Sequence, residues 1–333
     1  FGAVQTCFAA EAQMDKLADA LGMDPIELRL RNALKTHDML LTGQVIIGTA
    51  PVAECITACR DLPMPDPLAD DAPIMTLPGG AGRTALHHNV RRGVGFAVGF
   101  KNLAFSEGFD DYATARVRLE LGPTGEPLAT VHTATAEVGQ GFVTIAQQIA
   151  RAELGLTDVI VHAADTQVGS AGSTSASRQT MMSGGAVQMA CSAVREVILE
   201  RAALELHLAP ADMVLEEGEL VTKDGTRSVS LVDALDAGPV EANREFHHPP
   251  TEPLDEDGQG NAHWSLAFAA HRAVVDVDVE LGLVKVVQVA TAQDIGKALN
   301  PLAVTGQIEG GIAQGVGLAV MEEIVIDGSR IRN

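Results

Sequence analysis

The chain has 333 residues, of which 46% are hydrophobic and 3% aromatic, so it can bury a large core built mainly from aliphatic side chains. Its 44 acidic and 23 basic residues give a formal net charge of −21, which argues against nucleic-acid or anionic-lipid partners. No stretch reaches the roughly 18 consecutive apolar residues of a membrane span, and we expect a cytoplasmic protein.

The first part of the chain is predicted to be helical. Residues 11–34 predict two helices, with Gly22 suited to end the first in a left-handed conformation. The sequence DPIE at residues 24–27 is typical of a helix start, and we expect the second helix at 25–34. Between residues 62 and 83 the composition shifts to Pro, Asp and Gly, which indicates a connection.

Two β-hairpins are predicted further along the chain. The first pairs residues 115–121 with 128–136 around the turn GPTGEP, and the second pairs residues 271–280 with 283–292. The four cysteines do not form the CxxC pairs of a zinc or iron–sulfur site, so we expect them to be buried free thiols.

Two loops of small residues each join a predicted strand to a predicted helix. EVGQG at residues 137–141 precedes an amphipathic helix that should end near Gly155. GSAGSTSASRQT at 169–180 precedes a long helix expected from about Ser183 to Leu206. Because helix N-termini present unpaired N–H groups and a positive dipole end, both positions favour an anion. A flexible linker would not be held between packed elements, so the pattern favours binding loops.

A third glycine-rich stretch occupies residues 294–323. It predicts a helix that begins at Pro301 and carries five glycines, each of which weakens a helix by about 1 kcal/mol relative to alanine. Gln307 and Gln314 are seven residues apart and therefore share a helix face. The pattern fits a helix closely approached by a ligand, and it also fits a crowded core helix.

Other chemical patterns are weaker. The pairs at residues 87–88 and 247–248 are adjacent histidines, whose side chains point apart on a strand or a helix, which argues against a shared metal site. The serines of the second loop leave an amidase-like serine hydrolase as an alternative, although no GxSxG motif is present. A non-catalytic assembly subunit is another alternative.

Four motifs in order resemble the molybdenum hydroxylase family, which includes xanthine dehydrogenase and aldehyde oxidase. They are the opening FGAVQTCFAAEAQMDKLADALGMDPIELRLRNAL, then EVGQGFVT, GSTSASRQTMMSGGAV and the stretch at 294–323. The resemblance implies an α+β molybdopterin-binding-domain fold, with mixed sheets and helices in two subdomains. It places the C-terminal part of a first molybdopterin-binding domain at 1–62, a connection at 63–85 and a second such domain at 86–333.

The resemblance also implies roles for individual residues. The metal would be held by the pterin and not by side chains, so no protein metal ligand is expected. Phe1 would stack on a planar substrate. The expected cofactor-binding residues fall in three groups: Gly139, Gln140 and Gly141 around the pterin and its phosphate, Thr174, Ser175, Ala176 and Ser177 beside the metal, and Gln314 hydrogen-bonded to the pterin.

The implied activity is hydroxylation of a small purine-like heteroaromatic compound or an aldehyde with oxygen from water, assisted by a glutamate base. That glutamate belongs to a Gly-Glu motif expected beyond Asn333, so we predict no catalytic residue in the chain and expect an inactive fragment of a larger enzyme. The cofactor would be molybdenum-molybdopterin, with the cytosine dinucleotide form as one candidate. Electrons would leave through 2Fe-2S clusters and FAD on other subunits or domains of an oligomeric enzyme.

Overall fold

The computed structural model describes three stretches of the chain, residues 2–80, 86–216 and 218–333. The chain forms two compact units, one from Phe1–Lys101 with Ser265–Asn333 and the other from Asn102–Trp264. Both units combine helices with small sheets, which confirms the predicted α+β class. The domain boundaries expected at residues 62 and 85 refer to family domains rather than to these units, and they stay a prediction.

The helices and strands are named here in chain order. The helices are α1 Ala3–Leu21, α2 Pro25–Arg31, α3 Val52–Asp61, α4 Phe142–Leu154, α5 Gln179–Leu206, α6 Leu231–Leu235 and α7 Pro301–Val320. The strands are β1 Val90–Asn102, β2 Tyr112–Leu121, β3 Pro127–Thr133, β4 Val159–His162, β5 Met213–Glu216, β6 Glu219–Thr222, β7 Ser228–Ser230, β8 Val240–His247, β9 Leu266–Asp278, β10 Leu283–Asp294, β11 Ile326–Asp327 and β12 Arg330–Ile331.

The first unit contains α1, α2, α3, α7 and a sheet of strand order β1-β9-β10. The second predicted hairpin is confirmed as the antiparallel pair β9 and β10. The core of the first unit lies between α3 and this sheet, where Ile56, Cys59, Phe268 and Ala270 are buried. Helix α7 begins at Pro301 as predicted, but none of its residues is buried, so within this chain it is not a crowded core helix.

Two helix ends differ from prediction for local reasons. Helix α1 begins at Ala3, well before residue 11: its first turns carry the apolar residues Val4, Cys7 and Phe8 at helical spacing, a signal that the prediction did not use. Helix α2 ends at Arg31 and not at residue 34, because the Asn32 side chain donates a hydrogen bond to the Leu28 carbonyl at 2.8 Å and the Asn32 backbone leaves the helical region.

The second unit contains a four-stranded sheet of order β4-β3-β2-β8, packed against α4 and α5, and a small sheet of order β5-β6-β7. The first predicted hairpin is confirmed as the antiparallel pair β2 and β3. Strand β4 runs parallel to β3, and α4 makes the connection between them. Side chains along β2 and β3 such as Val117 and Val131 are buried in the same core cluster as Val187, Val194 and Ile198 of α5.

Three of the four cysteines are buried as expected. Cys7 is exposed, because α1 buries only Ala18, so the expectation was wrong for this residue. Desolvation by burial, with Glu153 nearby, raises the pKa of the Cys191 thiol to about 12, so Cys191 is a neutral core residue at physiological pH. Across the described stretches, no helix combines the length and apolar character needed to cross a bilayer.

The start of α2 provides a test of the local structure. The Asp24 carboxylate accepts hydrogen bonds from the N–H groups of Ile26 and Glu27, both at 2.9 Å. We expect Asp24→Ala to lower the free energy of unfolding by about 0.5–2 kcal/mol, and Asp24→Asn, which keeps an acceptor oxygen, to lower it much less. Chemical denaturation of the three proteins measures this, and equal losses in both variants would contradict the capping role.

Candidate functional site

The two loops predicted to bind a ligand lie at one edge of the second unit's main sheet. One follows β3 and leads into α4, and the other follows β4 and leads into α5. Because β3 and β4 are parallel, their carboxyl ends meet at the same edge. The Thr174 hydroxyl donates a hydrogen bond to the Ala136 carbonyl at 3.0 Å, which joins the two loops directly.

A buried arginine holds the second loop. Arg178 is fully buried, and its guanidinium forms a bidentate ion pair with Asp111, which is also buried. Its remaining N–H groups donate to the carbonyls of Ala171, Ser173 and Tyr112. A guanidinium has five N–H donors, and all five have acceptors here, so burial leaves none of them unsatisfied.

Gln179, the first residue of α5, reinforces this arrangement. Its side-chain N–H groups donate to the Ser173 carbonyl at 3.0 Å and the Ala171 carbonyl at 3.4 Å, and its side-chain oxygen accepts from the Ser183 hydroxyl. The Thr135 hydroxyl lies 2.7 Å from that of Ser183, which extends the buried polar network to the end of β3. Helix α5 begins at Gln179 and not at about Ser183 as predicted. The hydrogen bonds of the Gln179 side chain to the preceding loop and to Ser183 stabilise this additional first turn.

The backbone of the second loop is tightly constrained. Gly172 has a φ of +60°, and a Cβ at this position would lie 2.8 Å from a guanidinium nitrogen of Arg178. Ala176 and Ser177 have φ values of 56° and 53°, a left-handed conformation that costs an L-residue roughly 1–2 kcal/mol. The Ala176 carbonyl accepts a hydrogen bond from the Ala104 N–H at 3.0 Å, which helps to offset this strain. The loop is therefore a formed structure and not a flexible linker.

A carboxylate from the same chain caps the first loop. Glu137 accepts hydrogen bonds from the N–H groups of Gly139 at 2.9 Å, Gly141 at 3.0 Å and Val143 at 3.0 Å. Burial, the largest single influence, raises the pKa of Glu137, but N–H donors from Val143, Gly141, Gly139 and Phe142 together outweigh it and lower the pKa. The Glu137 carboxylate thus places a negative charge from within the chain at the N-terminus of α4.

Gln140 is folded back onto the same loop. Its side-chain oxygen accepts from the Val138 N–H at 2.7 Å, and its side-chain nitrogen donates to the Ala136 carbonyl at 3.1 Å. A carboxamide has two N–H donors and two acceptor lone pairs. One donor and one lone pair of Gln140 therefore have no partner in the described part of the chain.

The predicted site residues are placed as follows. Gly139, Gln140 and Gly141 lie on the first loop, and an added Cβ at either glycine would meet nothing within 4 Å. Residues 174–177 lie on the adjoining loop and are at least partly exposed. Gln314 lies exposed on α7 in the other compact unit. Phe1 lies outside the described residues.

Three residues that shape these loops were not predicted: Arg178, Asp111 and Glu137. Arg178 had a signal, because it is the one charged residue in the run of small residues at 169–180. No pattern in the sequence pointed to Asp111, because it is 67 residues away from Arg178. Glu137 stands at the start of a predicted loop and could have been recognised as a cap for the helix that follows.

The described residues around the loops give little support for a serine nucleophile or for a metal site held by side chains. The Ser173 and Ser175 hydroxyls lie 2.6 Å apart, and no hydrogen bond in the described part of the chain joins a serine of this loop to a histidine. Among the described residues, no group of three or more His, Cys, Asp or Glu side chains is arranged to hold a metal ion.

Comparison with known protein families agrees with the sequence motifs. A family described as "Molybdopterin cofactor-binding domain" matches residues 80–332, and a second family of the same description matches residues 1–33. The chain belongs to the molybdopterin cofactor-binding domain family. The resemblance inferred from the sequence is thereby confirmed.

Relatives of this molybdopterin cofactor-binding chain are longer proteins. The xanthine dehydrogenase molybdenum-binding subunit of Escherichia coli O157:H7 is 31% identical over 343 residues, which cover 98% of this chain and 42% of that protein. The aldehyde oxidoreductase of Megalodesulfovibrio gigas is 29% identical, over 97% of this chain and 32% of that protein. The chain thus spans less than half the length of these relatives.

The fold is also found in a solved structure. A CO dehydrogenase from Oligotropha carboxidovorans superposes with a TM-score of 0.77 at 18% identity, covering 98% of this chain and 41% of that chain. At this identity the likeness establishes the architecture of the molybdopterin cofactor-binding chain and not its substrate.

The buried ion pair of the second loop can be tested with two neighbouring aspartates. Asp111→Ala would leave Arg178 charged and unpaired in the core, so we expect it to lower the free energy of unfolding by about 3–5 kcal/mol. Asp110→Ala, which removes an exposed partner of His247, should change the stability little. Chemical denaturation compares the two variants, and similar losses would show that the Arg178–Asp111 pair does not hold the loop.

Proposed function

We propose that this chain forms part of the molybdopterin-binding site of a larger molybdenum hydroxylase, an oxidoreductase that hydroxylates a small purine-like heteroaromatic compound or an aldehyde. The observation that carries the proposal is the pair of loops joined by Thr174 and Ala136 at the carboxyl edge of β3 and β4, in a chain of this family. When bound, the cofactor would supply the redox chemistry, taking electrons from the substrate as oxygen from water is added.

The first loop is suited to a large ligand that approaches the backbone. Gly139 and Gly141 have positive φ values of 100° and 83°, and the space where their side chains would project is open. Gln140 keeps one N–H donor and one lone pair for a ligand. These three residues would bind and orient the pterin.

The second loop would hold the end of the cofactor that reacts. Thr174, Ser175, Ala176 and Ser177 are small, so a bulky group can approach them, and three of them carry hydroxyls. The Arg178 guanidinium lies behind this loop and fixes its carbonyls, which keeps the four residues in one arrangement. Rigid placement of binding groups is what a reaction with strict geometry requires.

The remaining parts of the site are also proposals. Gln314 would contact the pterin, and Phe1 would stack on a planar substrate. We assign the base to a glutamate in the rest of the protein, consistent with relatives more than twice as long as this chain. The 2Fe-2S clusters, FAD and other subunits that complete an oligomeric enzyme would likewise lie outside this chain.

Metal analysis of the whole protein tests the cofactor. Because the two loops offer backbone approach and hydroxyls suited to a pterin, we expect the purified protein to contain molybdenum and a pterin in proportion to the polypeptide. Mass spectrometry of metals, with fluorescence of the oxidised pterin, measures both. Finding neither molybdenum nor tungsten would refute the proposal.

A matched pair of glycine variants tests the position of the ligand. Gly141 and Gly125 have the same φ of +83°, and an added Cβ would meet nothing within 4 Å at either position. Valine therefore imposes similar backbone strain at both sites, and we expect a large loss of molybdenum only in Gly141→Val, where the side chain would occupy the ligand's space. The two variants should show similar losses of thermal stability. Equal molybdenum content in both would place the ligand elsewhere.

A further inference from the structure

The anion site at the start of α4 is already filled by the chain itself. Glu137 uses both carboxylate oxygens to accept hydrogen bonds from three backbone N–H groups, those of Gly139, Gly141 and Val143. The N-cap residue Gly141 has no side chain to do this. The N–H groups that a phosphate would use at a helix N-terminus are therefore committed to a side chain four residues before the cap.

Gln140 belongs to the turn that Glu137 caps. One carboxylate oxygen of Glu137 accepts hydrogen bonds from the N–H groups of Gly139 and Gly141, the two residues that flank Gln140, and so fixes the backbone on both sides of it. Its side chain closes the other part of the loop through Val138 and Ala136, with one donor and one lone pair left over. The loop thus offers a ligand a neutral carboxamide next to a negative charge.

We propose that Glu137 is a positioning residue that serves as the permanent anion of the first loop, so that the loop receives the uncharged pterin through Gln140 and not a phosphate of the cofactor. The proposal rests on the proposed function for the identity of the ligand. A phosphate at this position would find its N–H donors occupied and would be repelled by the carboxylate. This replaces the expectation that Gly139 and Gly141 bind the cofactor's phosphate.

Anion rescue tests the role of Glu137 without depending on the cofactor. In the full-length protein, Glu137→Ala should lower the melting temperature by about 2–4 °C, because the helix loses its cap. Inorganic phosphate should then occupy the vacated N–H groups and restore at least half of that loss. Wild-type protein should gain only the general stabilisation that phosphate salts give, because Glu137 already occupies these N–H groups.

Two further variants make this result decisive. Glu126→Ala removes an exposed glutamate from the turn between β2 and β3, and it controls for the general stabilising effect of phosphate salts. Glu137→Gln keeps the size of the side chain and one acceptor oxygen but removes the charge, and it serves if the alanine variant does not fold. Phosphate that stabilises wild type as much as the Glu137 variants, or that stabilises none of them, would overturn the proposal.

Molybdenum content separates positioning by Glu137 from competition with a phosphate. If Glu137 positions Gln140, Glu137→Ala should lose most of its molybdenum and Glu137→Gln should recover part of it. If the cofactor's phosphate displaces Glu137, removing the carboxylate would leave molybdenum unchanged or increase it, which overturns the proposal. A wild-type protein with no molybdenum or tungsten would refute the proposed function, and phosphate rescue would still decide whether Glu137 is the anion of the loop.

Discussion

The arrangement of the candidate site depends on one buried ion pair, Arg178 with Asp111. Removing two charges from water is costly, and the pair is tolerated because every N–H of the guanidinium finds an acceptor. Those acceptors include two carbonyls of the second loop, so a change in the path of the loop backbone would leave N–H groups of a buried cation without acceptors. The pair therefore favours the observed path of the loop, and the hydrogen bonds of Gln179 and Thr174 support the same path.

The two loops are held by side chains of opposite charge, which bind opposite kinds of backbone group. In the second loop the backbone turns carbonyls inward, and the cation of Arg178 satisfies them. In the first loop the backbone gathers N–H groups at a helix N-terminus, and the anion of Glu137 satisfies them. The Thr174 hydroxyl then connects the loops through the Ala136 carbonyl. Glycine and other small residues allow the backbone to adopt these turns with little steric hindrance. The hydrogen bonds of the charged side chains then stabilise the turns that are observed.

What could be predicted from the sequence was mostly local. The Asp24 cap, the Gly22 helix end, the hairpin of β2 and β3 and the start of α7 at Pro301 each depend on a few neighbouring residues, and all are confirmed. The start of α5 was predicted too late, since it depends on contacts of Gln179 with the preceding loop. The partner of Arg178 could not be found, because 67 residues separate it from Asp111 and no periodic pattern links them. The motif resemblance located the loops, but it did not reveal that the Glu137 carboxylate accepts hydrogen bonds from the backbone N–H groups of the first loop.

The internal capping of the first loop has a consequence for the thermodynamics of ligand uptake. A loop that is disordered before binding must be immobilised by its ligand, at roughly 0.5–1.5 kcal/mol for each flexible side chain. Here the side chains of Glu137 and Gln140 hold the loop through hydrogen bonds to its own backbone. A ligand that bound at this loop would therefore lose little free energy to ordering it, because the intramolecular hydrogen bonds already fix its backbone.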